Sequence, residues 1–488
     1  MIRIGIIGGG ACGVMLTMQL IDRLAGGPEV QIHLMEQGDR LGAGVAYGTA
    51  EQVHILNMQA QTMSVHSDDP DHFVRWLAAR RGTPATGTDL IDYVPRRLYG
   101  AYLRQCLEQK IATGTPTVTT HRCEVTGCTR VGRQWRLTAG IPLPDLDTVV
   151  LCLGDLPSGE YNRLAEHPAY APTPWDGAFL DALPRDARVG ILGTSLTAVD
   201  ALAALDARGH TGPIACFSRR RGLPKVQPRI LDTPDLKLVT RDTVERLALE
   251  EPGGISLSTM ERLIRAELEL ALGGPAAWES IRRPDDADPL TALRADIHAA
   301  ENNQVRWYEV LDAMSALTPI IWHRLSGSAR QTMLAEFSTW STYRHPMPLA
   351  NAYRVERMLA AGILTVHTGI SGIHPDHRGG FDVVRTGGRS AVDFLINATG
   401  TGYNPWVLPS ELLHHLLLQG ELVAHPLGGL DVDFGTLRVR RADSTLDDRM
   451  YLLGPLTRGV HFYTNSIETN RDNAQRLAAD LVLRTGAR

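Results

Sequence analysis

Two short stretches of this chain place glycine where a backbone must come close to a phosphate. Residues Gly8-Gly9-Gly10-Ala11-Cys12-Gly13 fit G-x-G-x-x-G with Gly8, Gly10 and Gly13. In such a turn the first glycine permits a sharp reversal, the second leaves room for a pyrophosphate, and the third lets a helix pack on a strand. Residues 2–7 before it read as a buried strand, and the apolar residues from Val14 to Leu24 after it recur as on a helix. The helix start then offers free N–H groups and a positive dipole end to an anion. A second strand, Val30 to Met35, ends at Glu36, whose carboxylate can hold ribose hydroxyls. This unit is predicted to bind a dinucleotide.

The same grammar returns at residues 188–218, where a strand from Arg188 to Leu192 leads into Gly193-Thr194-Ser195-Leu196-Thr197-Ala198. Ser195 stands where the middle glycine would be. It crowds a pyrophosphate slightly, and its hydroxyl can also donate to one, which leaves open a weakened site or another ligand. The following strand, Pro213 to Phe217, ends in Ser218-Arg219-Arg220-Arg221 with no acidic residue. Guanidinium forks there suit a ribose 2′-phosphate, so Arg219 and Arg220 point to NADP rather than NAD.

Each unit closes alike. Strands Thr117 to Cys123 and Trp135 to Ala139 lead to Thr148 to Leu153, ending at Gly154. Strands Leu364 to His367 and Phe381 to Arg385 lead to Asp393 to Asn397, ending in the small-residue turn at Gly400. Gly154 and Gly400 let the chain pass beneath a dinucleotide. The pattern is a duplicated design of Rossmann start, β-meander, and strand with glycine turn, and it predicts an α/β fold with two Rossmann-like dinucleotide-binding domains.

A chain of 488 residues is long enough for at least two domains. With 43% hydrophobic and 21% charged residues it reads as folded and globular. Its 49 Lys plus Arg against 54 Asp plus Glu provide no basic field for nucleic acid or anionic lipid, so small molecules are the expected partners. The six cysteines show no C-x-x-C spacing, and no H-E-x-x-H or similar metal motif occurs. The glycine-interrupted N-terminus argues against a secretory signal, and no uncharged apolar run reaches about 18 residues. A cytoplasmic protein with no membrane span is expected.

With these motifs the chain resembles the FAD/NAD(P)-binding oxidoreductases of the two-dinucleotide superfamily. It resembles more narrowly a bacterial branch through Leu41-Gly-Ala-Gly-Val-Ala-Tyr-Gly48, His54-Ile-Leu-Asn57, Met63-Ser64, Asp69-Pro-Asp-His-Phe73, Val94-Pro-Arg-Arg-Leu-Tyr-Gly100, Pro174-Trp175, Gly193 to Asp200 and Asn397-Ala-Thr-Gly400. The resemblance implies FAD in the first domain, with Asn57 and Gly454 among the cofactor contacts, and a nicotinamide nucleotide, NADPH, in the second. It implies an FAD domain over residues 1–185, an NADP domain over 186–390 with a helical insertion at about 230–345, and a return to the FAD domain over 391–488. The superfamily's final helix starts under the isoalloxazine ring, which places Thr469 and Asn470 there, next to Glu468. The ribityl aspartate common near the C-terminus of the superfamily is missing from Leu453-Gly454-Pro455.

A narrower comparison is with flavin-dependent N-hydroxylating monooxygenases, in which a Met-Gln pair follows the first domain's acidic strand end. Met58 and Gln59 occupy that place and are the catalytic candidates, Gln59 through an amide that both donates and accepts, Met58 by packing. The later Asp69-Pro70 reads as a helix start with Asp69 as N-cap. The insertion carries helical apolar spacing and is expected to cap the cleft between domains, with Arg344-His345 at the end of one helix. No cysteine lies between Leu41 and Met63, which sets disulfide reductase chemistry aside. Three readings remain: an NADPH-dependent monooxygenase hydroxylating a small amine through a flavin–oxygen adduct, a dehydrogenase or oxidase without oxygen insertion, and a non-catalytic FAD-binding redox protein.

Overall fold

The computed structural model describes residues 1–27, 29–82, 84, 92–220, 222–275, 281–284, 287–484 and 486. Arg221 lies outside them, as does part of the stretch rich in Pro, Asp and Gly between Gly273 and Pro289, which the sequence predicts to be a loop. The first strand, β1 (Ile2–Ile7), is buried from Ile4 to Ile7 and runs parallel to β2 (Val30–Glu36). Beyond β2 lies β3 (Thr117–Arg122), also parallel. A separate antiparallel ribbon is formed by β4 (Val125–Val131) and β5 (Gln134–Ala139). On the other side of β1 sits β6 (Thr148–Leu151), buried throughout.

The second sheet is entirely parallel. Its strands are β7 (Tyr170–Ala171), β8 (Val189–Leu192), β9 (Ile214–Phe217), β10 (Leu364–His367) and, beyond an antiparallel sheet of β11 (Ile370–Pro375), β12 (Phe381–Arg385) and β13 (Gly388–Val392), the strand β14 (Phe394–Asn397). Their order is β10-β9-β8-β14-β7. The chain then returns to the first sheet with β15 (Arg438–Arg440) and β16 (Leu446–Leu452), giving the order β15-β16-β6-β1-β2-β3. Four-residue strands buried on both faces, such as Val-Gly-Ile-Leu in β8, are what a parallel sheet covered by helices requires.

Two boundaries differ from the sequence expectation. A division at residue 391 would put β14 in the first domain, but Asn397 of β14 pairs with Leu192 of β8 in the second sheet. The return therefore follows the Ala398–Gly400 turn, because that turn must stand beside the glycine turn of β8. Ahead of residue 186, β7 already pairs with β14 at the second sheet's edge. The first unit's meander is shorter than expected, since β3 extends the main sheet instead of joining β4 and β5.

Two main cores follow from this layering. Ile4, Ile6, Val14, Leu16, Leu20 and Leu477 join β1, the helix Ala11–Leu24 and the C-terminal helix Ile467–Arg484. Val189, Ile191, Leu202, Leu293 and Val355 do the same for the second sheet. The insertion is helical, and Thr240, Ser256, Asp288 and Ser326 each accept the N–H three residues on, at the starts of Arg241–Glu250, Leu257–Leu272, Pro289–Glu301 and Gly327–Ala335. Such caps satisfy N–H groups that the helix itself cannot. Trp322 of the insertion donates to the Gly459 carbonyl (2.9 Å) and stacks on Phe462, tying the insertion to the returning part of the first domain. The helix expected to be capped by Asp69 starts later, at His72, and Asp69 forms an ion pair with Arg75. Among the described residues no helix is long and apolar enough to cross a membrane.

Candidate active site

Two large cavities open at the C-terminal ends of the parallel strands, where the crevices of open α/β sheets take ligands. The first, about 940 Å³, is lined by Gly8, Gly10, Glu36 and Gly154. Gly8 has φ +107°, and a Cβ there would meet the Cys152 carbonyl oxygen at 2.1 Å, so only glycine fits. At Gly10 a Cβ would find nothing closer than the Gly44 Cα at 3.6 Å, and at Gly154 nothing within 4 Å, which leaves open space where a pyrophosphate would pass. Gly13 plays the packing part, lying against the Gly8 carbonyl. The Glu36 carboxylate accepts from the Gly9 and Gly38 N–H groups, each at 2.8 Å. A carboxylate has about four acceptor sites, so this fixes its orientation and leaves capacity for ribose hydroxyls. These residues fit an FAD molecule.

The second cavity, about 1040 Å³, is lined by Gly193, Ser195, Arg219, Arg220, Asn57 and Gly400, among others. Ser195 is the N-cap of the helix Leu196–Ala207, with φ −81° and ψ −169° and an exposed hydroxyl that caps nothing within the helix. Its backbone is unstrained, so serine costs the turn nothing and adds a donor toward the cavity. Arg219 and Arg220 stand at the rim, held by Glu160 (3.5 Å) and Glu336 (3.9 Å). Their exposure leaves the guanidinium groups available to a phosphate. The helix Phe337–Arg344 turns Phe337, Ser338, Ser341 and Thr342 to this cavity, with His345 just beyond it, so the insertion does form one wall.

The cavities share Ala46, Arg96, Thr197, Gly400, Thr401 and Asn465. At this junction the Arg96 guanidinium pairs with Asp200 of the second domain at 2.8 Å and donates to the Ile55 carbonyl at 2.9 Å. Burial pushes the Asp200 carboxyl up to about 6 against the pull of Arg96. His54 Nε2 lies 3.2 Å from the Asp200 backbone carbonyl, which can only accept, so this nitrogen carries the proton. Its Nδ1, 2.7 Å from the Thr49 hydroxyl, is then the acceptor. Burial and Arg96 lower His54 to about 4, which keeps the ring neutral. Trp175 meets the His54 ring edge-on at 5.1 Å and lies under Arg96 at 5.5 Å. Nearby, Asp155 accepts from the Thr401 hydroxyl at 2.6 Å, and burial raises its carboxyl.

The catalytic candidates from the sequence do not reach either cavity. Gln59 is fully buried, with its Oε1 taken by Gln61 (3.0 Å) and its Nε2 3.5 Å from the Arg229 carbonyl, and Met58 packs on the first core. Gln59 leads into the short helix Ala60–Thr62, and the burial of Ala60 and Met63 in the first core carries the pair inward with it. Thr469 and Asn470 are also buried, Asn470 donating to the Thr464 and Ser466 carbonyls, and Asn465 takes their place on the shared wall. Gly454 packs against Cys12, a Cβ there lying 3.3 Å from its sulfur. His54, Arg96, Trp175 and Asp200 all belong to stretches that carried the resemblance; Asp155 had the signal of a carboxyl following a strand-end glycine. His66, His72 and Cys106 place ligand atoms within 4.8 Å of one another away from both cavities, a cluster that no sequence spacing revealed.

Residues 5–156 match a family model described as FAD-NAD(P)-binding. No curated protein sequence matches the chain. The fold is similar to that of L-lysine 6-monooxygenase from Pseudomonas syringae, with TM-score 0.59 and 16% identity over 99% of both chains. It is similar to the ornithine N-hydroxylase of Kutzneria sp. 744, with TM-score 0.57 and 14% identity over 99% of both chains. A third likeness is to the FAD-bound cadaverine monooxygenase of Erwinia amylovora, with TM-score 0.60 and 12% identity over 100% of this chain and 95% of that one. The fold and the paired cavities define a two-domain architecture of the Rossmann type, shared with flavin-dependent enzymes of known structure. Within that architecture, residues 5–156 match the FAD-NAD(P)-binding model, and the whole chain shares its fold with the lysine 6-monooxygenase and the ornithine N-hydroxylase.

Proposed function

We propose that the chain is an FAD-dependent, NADPH-consuming monooxygenase that hydroxylates a small amine. The observation that carries this reading is the shared wall: two dinucleotide-sized cavities, each on its own strand–turn–helix unit, meet at Arg96, Gly400, Thr401 and Asn465. Gly8, Gly10, Glu36 and Gly154 would hold FAD, and Gly193, Ser195, Arg219 and Arg220 would hold NADPH. When bound, the flavin supplies hydride acceptance and oxygen chemistry.

The chain's own part is to position and to keep water out. Arg96 and Asp200 lock the two domains at the junction, so the distance between the cavities is set by a buried ion pair. His54 stays neutral and adds no charge there. His345, on the insertion wall, is lowered to about 3 by burial and Arg344, with Nδ1 3.0 Å from the Ser341 hydroxyl. A neutral imidazole presents a polar edge to an amine without attracting an anion to the same spot. The amine class is supported by the proteins that share the fold: a lysine 6-monooxygenase, an ornithine N-hydroxylase and a cadaverine monooxygenase.

The test is purified holoprotein with NADPH, isotopically labelled oxygen and a panel of amines. One labelled oxygen atom in the product, with NADPH oxidation stimulated by the same amine, is expected. Hydrogen peroxide alone, or an oxidised product without label, would replace this reading with an oxidase or dehydrogenase.

A further inference from the structure

The walls of the second cavity are electropositive. Arg96, Arg219, Arg220 and Arg458 line it, and among the described lining residues Glu160 is the sole acid. Three of these arginines have carboxylate partners: Arg96 with Asp200, Arg219 with Glu160, and Arg220 with Glu336. Arg458 differs. It is 8% exposed, and no described carboxylate pairs with it; its polar neighbour is the Tyr403 phenol, a hydrogen-bond partner that burial keeps neutral and that therefore leaves the charge uncompensated. Its Nε is buried without a hydrogen-bond partner. The guanidinium carbon lies 4.0 Å from the ring centroids of both Phe337 and Tyr403. A guanidinium stacked on two rings has its faces covered, so what it offers a ligand is the in-plane edge, and that edge binds a carboxylate with paired N–H groups.

Burying a charge without a partner is costly, and the cost is removed when an anion arrives. A dinucleotide brings its own anions, but the turn Gly193–Ser195 at the helix Leu196–Ala207 serves a pyrophosphate and Arg219 with Arg220 serve a 2′-phosphate. Arg458 comes from the returning part of the first domain, beside Tyr403 and the insertion residue Phe337, and is left over. We propose that Arg458 is the anion receptor of the second cavity and takes the carboxylate of the substrate. The substrate class is then a small carboxylate-bearing molecule, with its reactive amine directed to the shared wall. This rests on the monooxygenase reading for the amine but not for the carboxylate. The electropositive cavity also favours a neutral amine over an ammonium, which is the state that can act as a nucleophile.

The experiment measures binding directly, with the holoprotein and matched probes: glutarate against glutaramide, and 6-aminohexanoate against its amide, by calorimetry. In the wild type each carboxylate is expected to bind about ten- to a hundredfold more tightly than its amide, the range of one charged hydrogen-bonded contact. Arg458→Met should abolish that preference and Arg458→Lys should keep part of it, while NADPH affinity stays within about twofold. Equal binding of carboxylate and amide by the wild type overturns the proposal even if neither variant folds. A loss of NADPH affinity in Arg458→Met, with carboxylate preference retained, also overturns it and makes Arg458 a nucleotide phosphate receptor. If the carboxylate preference holds but no labelled oxygen enters any amine, the receptor stands and only the monooxygenase reading falls.

Discussion

At the end of β1, Gly8 has φ +107° and a Cβ would lie 2.1 Å from the Cys152 carbonyl oxygen; at the end of β8, Gly193 has φ +117° and a Cβ would lie 2.4 Å from the Ala398 carbonyl oxygen. Two residues on, Gly10 and Ser195 are both extended with negative φ, so neither needs to be glycine on backbone grounds. At the third position the units part. A Cβ on Gly13 would sit 1.9 Å from the Gly8 carbonyl oxygen, whereas Ala198 already carries one and is packed in the second core. The comparison separates three demands that one fingerprint merges. Backbone conformation requires the first glycine in both units, the ligand governs the second, and helix–strand spacing governs the third.

The largest effect should come from exchanging that third residue. Gly13→Ala drives a methyl into backbone and is expected to cost about 3 kcal/mol or more in denaturant unfolding, beyond the usual range for overpacking that side chains can absorb. A variant as stable as wild type would mean the first helix can step away from its strand, and that the two units are interchangeable.

The tie between the units is expected to show in pH. His54, in the first domain, is lowered to about 4 from 6.5, so its contribution is present above pH 6.5 and lost as pH falls through 4. That difference corresponds to about 3 kcal/mol at about 1.4 kcal/mol per unit. Asp200, in the second, is raised to about 6 from 3.8, so its contribution has the opposite sign, falling as pH rises between those values. His54→Gln should therefore make stability fall less between pH 6.5 and 4 than in wild type, read by urea midpoints. Parallel curves would detach His54 from the junction.

Next in size is the nucleotide preference of the second unit. Arg219→Ala should weaken NADPH binding about ten- to a hundredfold and leave NADH nearly unchanged, as expected for one charged hydrogen bond to a 2′-phosphate. Equal losses for both nucleotides would make the arginine a structural partner of Glu160 alone. The smallest effect is the reverse exchange at the third position: Ala198→Gly should cost only about 1 kcal/mol, the helix propensity difference.

Much of this was legible locally. The strands, the glycine turns at Gly8 and Gly193, the strand-end Glu36 and the arginines at 219 and 220 are set by residues adjacent in sequence, whose dihedral and packing preferences fix a turn and the helix that follows it. The stretches that carry the resemblance, Leu41 to Gly48 and those holding His54, Arg96, Trp175 and Asp200, could be recognised but had no roles, because their meaning is mutual. Only the crossover of the chain between two sheets brings Arg96 to Asp200 and puts His54 beside both. The same holds for Gln59, where a local pattern suggested a cofactor neighbour and burial against Gln61 and Arg229 decided otherwise. Arg458 shows the limit most plainly. Its sequence surroundings are ordinary, and its uncompensated charge exists only because folding stacks it between Phe337 of the insertion and Tyr403 after β14, removes it from water, and brings no acid to it among the described residues.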